Sequence, residues 1–356
     1  MTLSADVVIV GAGIAGAGLA AEIAGEASVL VIEAEDQPGY HATGRSAAFW
    51  SESYGGPFIQ PLTSTSREFL EGEGLLRERR GLHLADAGGE PGLDAMRVEL
   101  GGSVELVDVR REAIERLVPG VRPGWDRALL EPTCKDIDVA ALHALCLARA
   151  RRAGARIVTN ARLTAAERRD GRWRLETSAG EMKAGTLVDA AGAWADEVAR
   201  IAGVRPLGIR PYRRTVVQLR VDPPAPADLP LVIDVSGRFY FKPEAGGRIW
   251  LSPHDETPCD PGDCAPEEID VALAIDRLEQ VVDWKVLRVE RAWAGLRSFA
   301  PDRLPVYGFD PAAEGFFWCA GQGGFGIQTA PAASRLAAAL LVARTPEIDA
   351  QPYVAG

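Results

Sequence analysis

The six residues "GAGIAG", positions 11–16, restrict this chain more than any other stretch. They follow "DVVIV" (6–10), a short apolar run of strand character, and lead into "AGLAAEIAG", which has helical character. "SVLVIE" (28–33) supplies a second strand, so the pieces read as a β-α-β unit. In such a unit Gly11 permits a tight turn, Gly13 lets a pyrophosphate approach the backbone, and Gly16 lets the helix pack on the strand. The helix opening at Ile14 and Ala15 points its positive end at the phosphates. Glu33, followed by Ala34, ends the second strand where a carboxylate accepts ribose hydroxyl bonds. An acid there disfavours a 2'-phosphate, which leaves NAD or FAD ahead of NADP.

Two further glycine turns separate those two cofactors. "DAAGAWADEVA" (189–199) and "CAGQGGFGIQTAP" (319–331) are each expected to run from strand through turn to helix. Gly321, Gly323, Gly324 and Gly326 make the second a flexible nest ahead of a helix N-terminus. A nicotinamide dinucleotide needs one such turn. A buried isoalloxazine has a polar edge that must be hydrogen-bonded, and so needs several.

The remaining chain alternates in texture. Residues 67–80 are expected to form a polar-faced helix ending at Gly81, and "LHLAD" a strand. Helical pieces follow near 91–100 and 111–117. "DIDVAALHALCLARARRAG" (136–154) is an amphipathic helix with Asp138 as N-cap and Gly154 as its stop. Residues 162–180 read as a hairpin turning at Asp170-Gly171. Alternating strands fill 209–255, interrupted by "DPPAPADLP", and residues 266–282 are helical. The expected fold is α/β: a Rossmann-type domain (1–80, 130–207, 298–356) interleaved with an antiparallel β-sheet substrate domain (81–129, 208–297).

Composition narrows the partners. A formal net charge of -11 argues against nucleic acid and against tight binding to anionic lipid. No apolar run reaches spanning length, and neither CxxC nor HExxH supports a metal. Five cysteines without a secretory leader read as free thiols in a reducing compartment, including Cys259 and Cys264 around the "DPGD" turn. The expected location is cytoplasmic, with a peripheral station at the inner face of a membrane as the variant.

Seven segments together resemble the FAD-dependent D-amino-acid oxidase superfamily. They are "VVIVGAGIAGAGLA", "GYHATGRSAAFWSESYGG", "DAAGAWADEVA", "RPYRRT", "FYFKPEAGG", "WAGLRSFAPD" and "AGQGGFGIQTAPA", spanning residues 7–332. Within it the chain is similar to glycine oxidase, sarcosine oxidase and D-amino-acid dehydrogenases, and most of all to D-arginine dehydrogenase-like flavoproteins. The resemblance implies noncovalent FAD and oxidation of a D-amino acid to an imino acid by hydride transfer from Cα to flavin N5. The imine then hydrolyses to a 2-oxo acid and ammonia.

The resemblance also implies roles. The first glycines, Glu33 and Ala34 would hold the ADP half, and Arg162-Leu163 would touch the adenine region. Gly44, Arg45, Ser46, Ala47 and Ala48 would line the flavin, with Ala191, Gly192 and Trp194 flanking it. Gly324, Phe325, Gly326, Ile327 and Gln328 would meet its pyrimidine edge. Arg213 and Arg297 would clamp the substrate carboxylate, since a planar guanidinium binds carboxylate as a fork. Tyr54 and Tyr240 would form the pocket wall, with Phe49, Trp50, Ser51 and Gly323 around the substrate. Arg213 and Arg214 alternate across a strand, so only one can serve; Arg213 is preferred and Arg214 is the alternative.

The chain departs from the arginine-type pattern. Phe49-Trp50 stands where a His-Tyr pair is usual, and residues 79–86 supply Leu82 and His83 rather than an acid for a cationic side chain. Apolar and aromatic D-amino acids therefore stand beside arginine as candidates. His41 sits in a "HAxG" setting like that of the covalent histidine in dimethylglycine-type dehydrogenases, but its "GRSAA" neighbours favour noncovalent FAD. No histidine among His41, His83, His143 and His254 stands out as a base. The electron acceptor stays open between quinone, dye and oxygen. Other readings are a glycine- or sarcosine-type oxidase releasing peroxide, an NAD-dependent oxidoreductase, and a noncatalytic flavin-binding module.

Overall fold

Small side chains dictate how the N-terminal unit packs. The helix Ile14–Ile23 follows the strand Leu3–Val10 with Gly13 as its N-cap. A Cβ on Gly16 would lie 2.0 Å from the Gly11 carbonyl, and one on Gly11, at φ +103°, would lie 2.5 Å from that of Ala190. Neither position admits another residue without moving backbone. A computed structural model describes residues 3–355.

Among those residues the strands form three sheets. One has a parallel centre, in which Val29–Ile32, Leu3–Val10, Gly180–Asp189 and Phe316–Ala320 are neighbours. These strands are apolar on both faces because helices cover both. Ile14–Ile23 and Gly326–Leu341 help build one core with Ile9, Val31 and Phe317; Ala195–Ile201 helps build the other with Val8, Leu30 and Trp318. Each large apolar side chain so buried contributes about 1.5–3 kcal/mol. The carboxyl ends of the parallel strands, at Val10, Ile32, Asp189 and Ala320, converge on one crevice.

The second sheet is antiparallel apart from one parallel pair, Leu231–Asp234 with Gly81–Ala85. Its pairing settles which side chains share a face. Phe241, Leu251 and Val217 are partners in register, and their face packs on the helix Glu268–Val281. Strand alternation then puts Tyr240, Ser252 and Arg214 on the opposite face. Arg297 pairs with Tyr212, two residues from Arg214, and so joins that face. The third sheet joins Phe49–Trp50, Lys135–Ile137 and Leu76–Glu78.

The expected hairpin is present, with Asp170 and Gly171 both at positive φ as a type I′ turn requires. Asp138 caps Val139–Arg152 by accepting the Ala141 N–H at 2.9 Å. The helix expected at 67–80 is instead Gln60–Gly72. Pro61 suits its first turn, and Gly74 at φ +68° terminates it, after which Leu76–Glu78 pairs as a strand. No helix among the described residues is long and apolar enough to cross a membrane.

Candidate active site

Three cavities meet along the crevice. The first, about 920 Å³, runs past Gly11, Gly13, Glu33 and Ala34, then Arg162 and Leu163, then Ala191, Gly192 and Trp194. The second, about 650 Å³, shares Thr43, Ala190 and Gly192 with it and continues past Ile14, Ala15, Ser46, Gly323, Gly324, Gly326 and Ile327. The third, about 300 Å³, adjoins the second at Ser46, Arg297 and Gly324 and is walled by Phe49, Tyr54, Tyr240 and Gln328. An elongated cleft with a small side pocket suits a dinucleotide whose ring end faces a small substrate.

The nucleotide end is held open by hydrogen bonds to its loop. Glu33 lines the cleft while accepting the Ala12 N–H at 2.9 Å. Thr43 Oγ1 accepts the Ile14 N–H at 3.0 Å, and His143 Nε2 bonds the Ala12 carbonyl at 2.8 Å. Burial pushes the His143 pKa down, so the neutral ring donates here. Neither His143 nor Thr43 is among the cofactor positions expected from the sequence. Thr43 lies within "GYHATGRSAAFWSESYGG" and His143 on the helix Val139–Arg152; both act on the glycine loop from distant elements.

The pocket end holds an unpaired cation. Arg297 is buried and forms no hydrogen bond or ion pair with any described residue. Burial lowers its pKa, and the neighbouring Tyr240 is the first influence to oppose that. A buried guanidinium without an anion is costly, which makes the site one that an incoming carboxylate stabilises. Tyr54, Tyr240 and Phe49 stack edge to face around it, and Phe325 backs Tyr54 at 5.2 Å.

Several expected positions fall elsewhere. Arg213 turns to the helix side of the sheet, where Asp270 at 2.9 Å and Glu267 occupy its guanidinium. Arg214 is the arginine beside Tyr54 and Tyr240; its Nε donates to the Asp255 carbonyl at 2.8 Å and Nη2 to Glu256 at 3.0 Å. The preference for Arg213 is corrected by strand parity. Arg45 does not reach the cleft: Asp263, Cys264 and Ala294 accept its donors, and its ring neighbour is Tyr40. Gly44 makes a close approach to the Gly39 carbonyl, where a Cβ would lie 2.8 Å from the oxygen.

Trp50 points into the core and donates to the Thr63 carbonyl. Ser51 lies behind the pocket wall, bonded to the buried Glu131 at 2.8 Å. Gly323 lines the second cavity rather than the third, against Phe299. His254, which no motif singled out, reaches Tyr54.

The FAD dependent oxidoreductase family model, DAO, matches residues 6–340. The chain belongs to that family. Glycine oxidase of Pseudomonas aeruginosa is 28% identical, covering 99% of this chain and 98% of that protein. Among solved structures, glycine oxidase from Geobacillus kaustophilus superposes with a TM-score of 0.85 at 23% identity, over 99% of this chain and 98% of that one. L-proline dehydrogenase from P. horikoshii does so with a TM-score of 0.86 at 20% identity, over 99% and 97%. FAD is the family's cofactor, so the NAD-dependent reading is set aside. The cleft fits it: Gly11, where a Cβ would strike the Ala190 carbonyl, lines one end with Gly13, and a second glycine turn lines the other.

Proposed function

We propose that this FAD-dependent oxidoreductase oxidises the free α-amine of a D-amino acid with an uncharged side chain. Arg297, a buried cation facing the small aromatic pocket, carries the reading. Bound in the cleft, FAD supplies the hydride acceptor. The chain's own residues do the rest. Arg297 binds the α-carboxylate and Arg214 adds positive potential from the same sheet face. Tyr54 and Tyr240 confine the α-carbon between them and exclude water. Among the described residues no acid lines the pocket, and Glu131 behind it is already bonded to Ser51, Ser53 and Glu52, which disfavours a cationic side chain.

Anaerobic flavin bleaching over a panel of D- and L-amino acids tests this. Reduction by apolar D-amino acids is the expected result; a yellow protein that no amino acid bleaches rejects it and leaves a noncatalytic flavin module. The small pocket volume and the full-length glycine oxidase relative favour a second reading, an oxidase of glycine or sarcosine, which peroxide release with those substrates supports.

The two arginines divide by the same assay. Arg214→Met is expected to slow flavin reduction by roughly 10- to 100-fold, from a lost charge close to the carboxylate. Arg213→Met leaves the rate within about threefold but lowers the melting temperature, because Asp270 and Glu267 lose their partner.

A further inference from the structure

The strongest unassigned feature beside the pocket is His254. The segment "SPHD" (252–255) leaves the sheet in a turn that puts His254 at φ +55°, a left-handed conformation uncommon outside glycine. Such a conformation persists where surroundings hold it, and here both ring nitrogens are engaged. Nδ1 lies 2.8 Å from the Gly237 carbonyl, and Nε2 lies 3.4 Å from the Tyr54 hydroxyl. The ring also packs edge to face on Tyr240 at 5.7 Å.

These contacts fix the direction of one hydrogen bond. A carbonyl only accepts, so Nδ1 carries the proton. Burial pushes the His254 pKa down to about 3, with the charge of Arg214 next in size, so the ring is neutral. Nε2 then holds a lone pair, and the proton between it and Tyr54 belongs to the tyrosine. With its only proton directed at His254, the Tyr54 oxygen has lone pairs alone in its other directions, one of them toward the guanidinium of Arg214. It sits over the glycine turn, 3.3 Å from where a Cβ on Gly324 would be, and Tyr54 lines the pocket beside Arg297.

We propose that His254 is a positioning residue that locks the Tyr54 hydroxyl as a hydrogen-bond acceptor for the substrate's α-amine. Arg297 and Tyr54 then read different parts of one molecule: a cation for the carboxylate, a lone pair for the amine. Without His254 the hydroxyl is free to rotate and donate, and the amine loses its acceptor.

The inference rests on the reading that an amino acid occupies this pocket, and the bleaching panel tests that separately. The test uses the FAD-loaded protein and two ligands: the best amino acid from the panel and the carboxylic acid of the same side chain without its amine. Apparent Kd of the amino acid comes from the concentration dependence of anaerobic flavin reduction; Ki of the amine-free acid comes from competition. In His254→Ala, the amino acid is expected to bind about 10- to 100-fold more weakly, the range for a lost bond to a charged group. The amine-free acid keeps its Ki within twofold. Tyr54→Phe should reproduce that split, and the double variant should add little to either single one. Equal weakening of both ligands, no weakening of either, or additive effects in the double variant overturns the proposal. If His254→Ala does not fold, Tyr54→Phe alone decides: an unchanged Kd for the amino acid overturns it.

Discussion

Arg297→Met is expected to melt at a higher temperature than the native protein, to bind FAD, and to keep that FAD oxidised when amino acids are added. The two halves of this result have one cause. Arg297 is buried without an anion, so the folded chain carries the cost of desolvating it. An apolar side chain of similar length removes that cost, and such replacements stabilise by up to about 1–4 kcal/mol. In a protein of this size that is a rise of a few degrees. The same change leaves the substrate carboxylate facing aromatic rings. Losing a buried hydrogen-bonded charge partner costs roughly 2–5 kcal/mol, and misorientation of the α-carbon adds to it. A fall of about 10³-fold or more in the second-order rate of flavin reduction follows. Arg297→Lys should recover only part, because an ammonium cannot form the fork. Differential scanning fluorimetry with anaerobic stopped-flow reads both halves. A variant that reduces its flavin within tenfold of native assigns the carboxylate elsewhere.

The cofactor cleft was legible because its chemistry is local. Gly11, Gly13, Ala191, Gly192 and Gly324 line it from glycine turns, and Glu33 lines it from the end of a strand. The pocket was legible only as a set of residue types. "PYRRT" supplies two arginines, but which one faces inward depends on the parity of a register running through Val217, Leu251 and Phe241. That register belongs to the assembled sheet, and a slip of one residue inverts it. Arg45, Gly44 and Trp50 lie in one of the segments that carry the family resemblance. Their partners, Asp263, Gly39 and Thr63, cannot be read from that segment itself. His254 was invisible for the reverse reason: its position depends on a left-handed turn that no periodicity announces.

Glu131→Ala is expected to destabilise the protein by about 3–5 kcal/mol and to slow flavin reduction as well. Glu131 is fully buried, yet it is the anchor of the turn that leads into Tyr54. It accepts the Glu52 N–H at 2.7 Å and the hydroxyls of Ser51 and Ser53, with His83 at 3.4 Å. Removing it leaves those donors unsatisfied together and frees the turn that positions the pocket wall. Burial alone would raise the Glu131 pKa, but the hydrogen bond and charge of His83 and the bonds of Ser53 and Ser51 outweigh it and hold the carboxyl below its usual range. A lowered folded value contributes stability that is complete above the ordinary glutamate range, about pH 4.3. That stability is lost as pH falls through the depressed value. Melting temperature measured downward from neutral pH should therefore fall more steeply in the native chain than in Glu131→Gln, whose side chain has no proton to gain. Parallel curves would show that other carboxylates set the acid limit. A Glu131→Ala variant that is destabilised but reduces its flavin at the native rate would separate the fold's need for this acid from any hold on Tyr54.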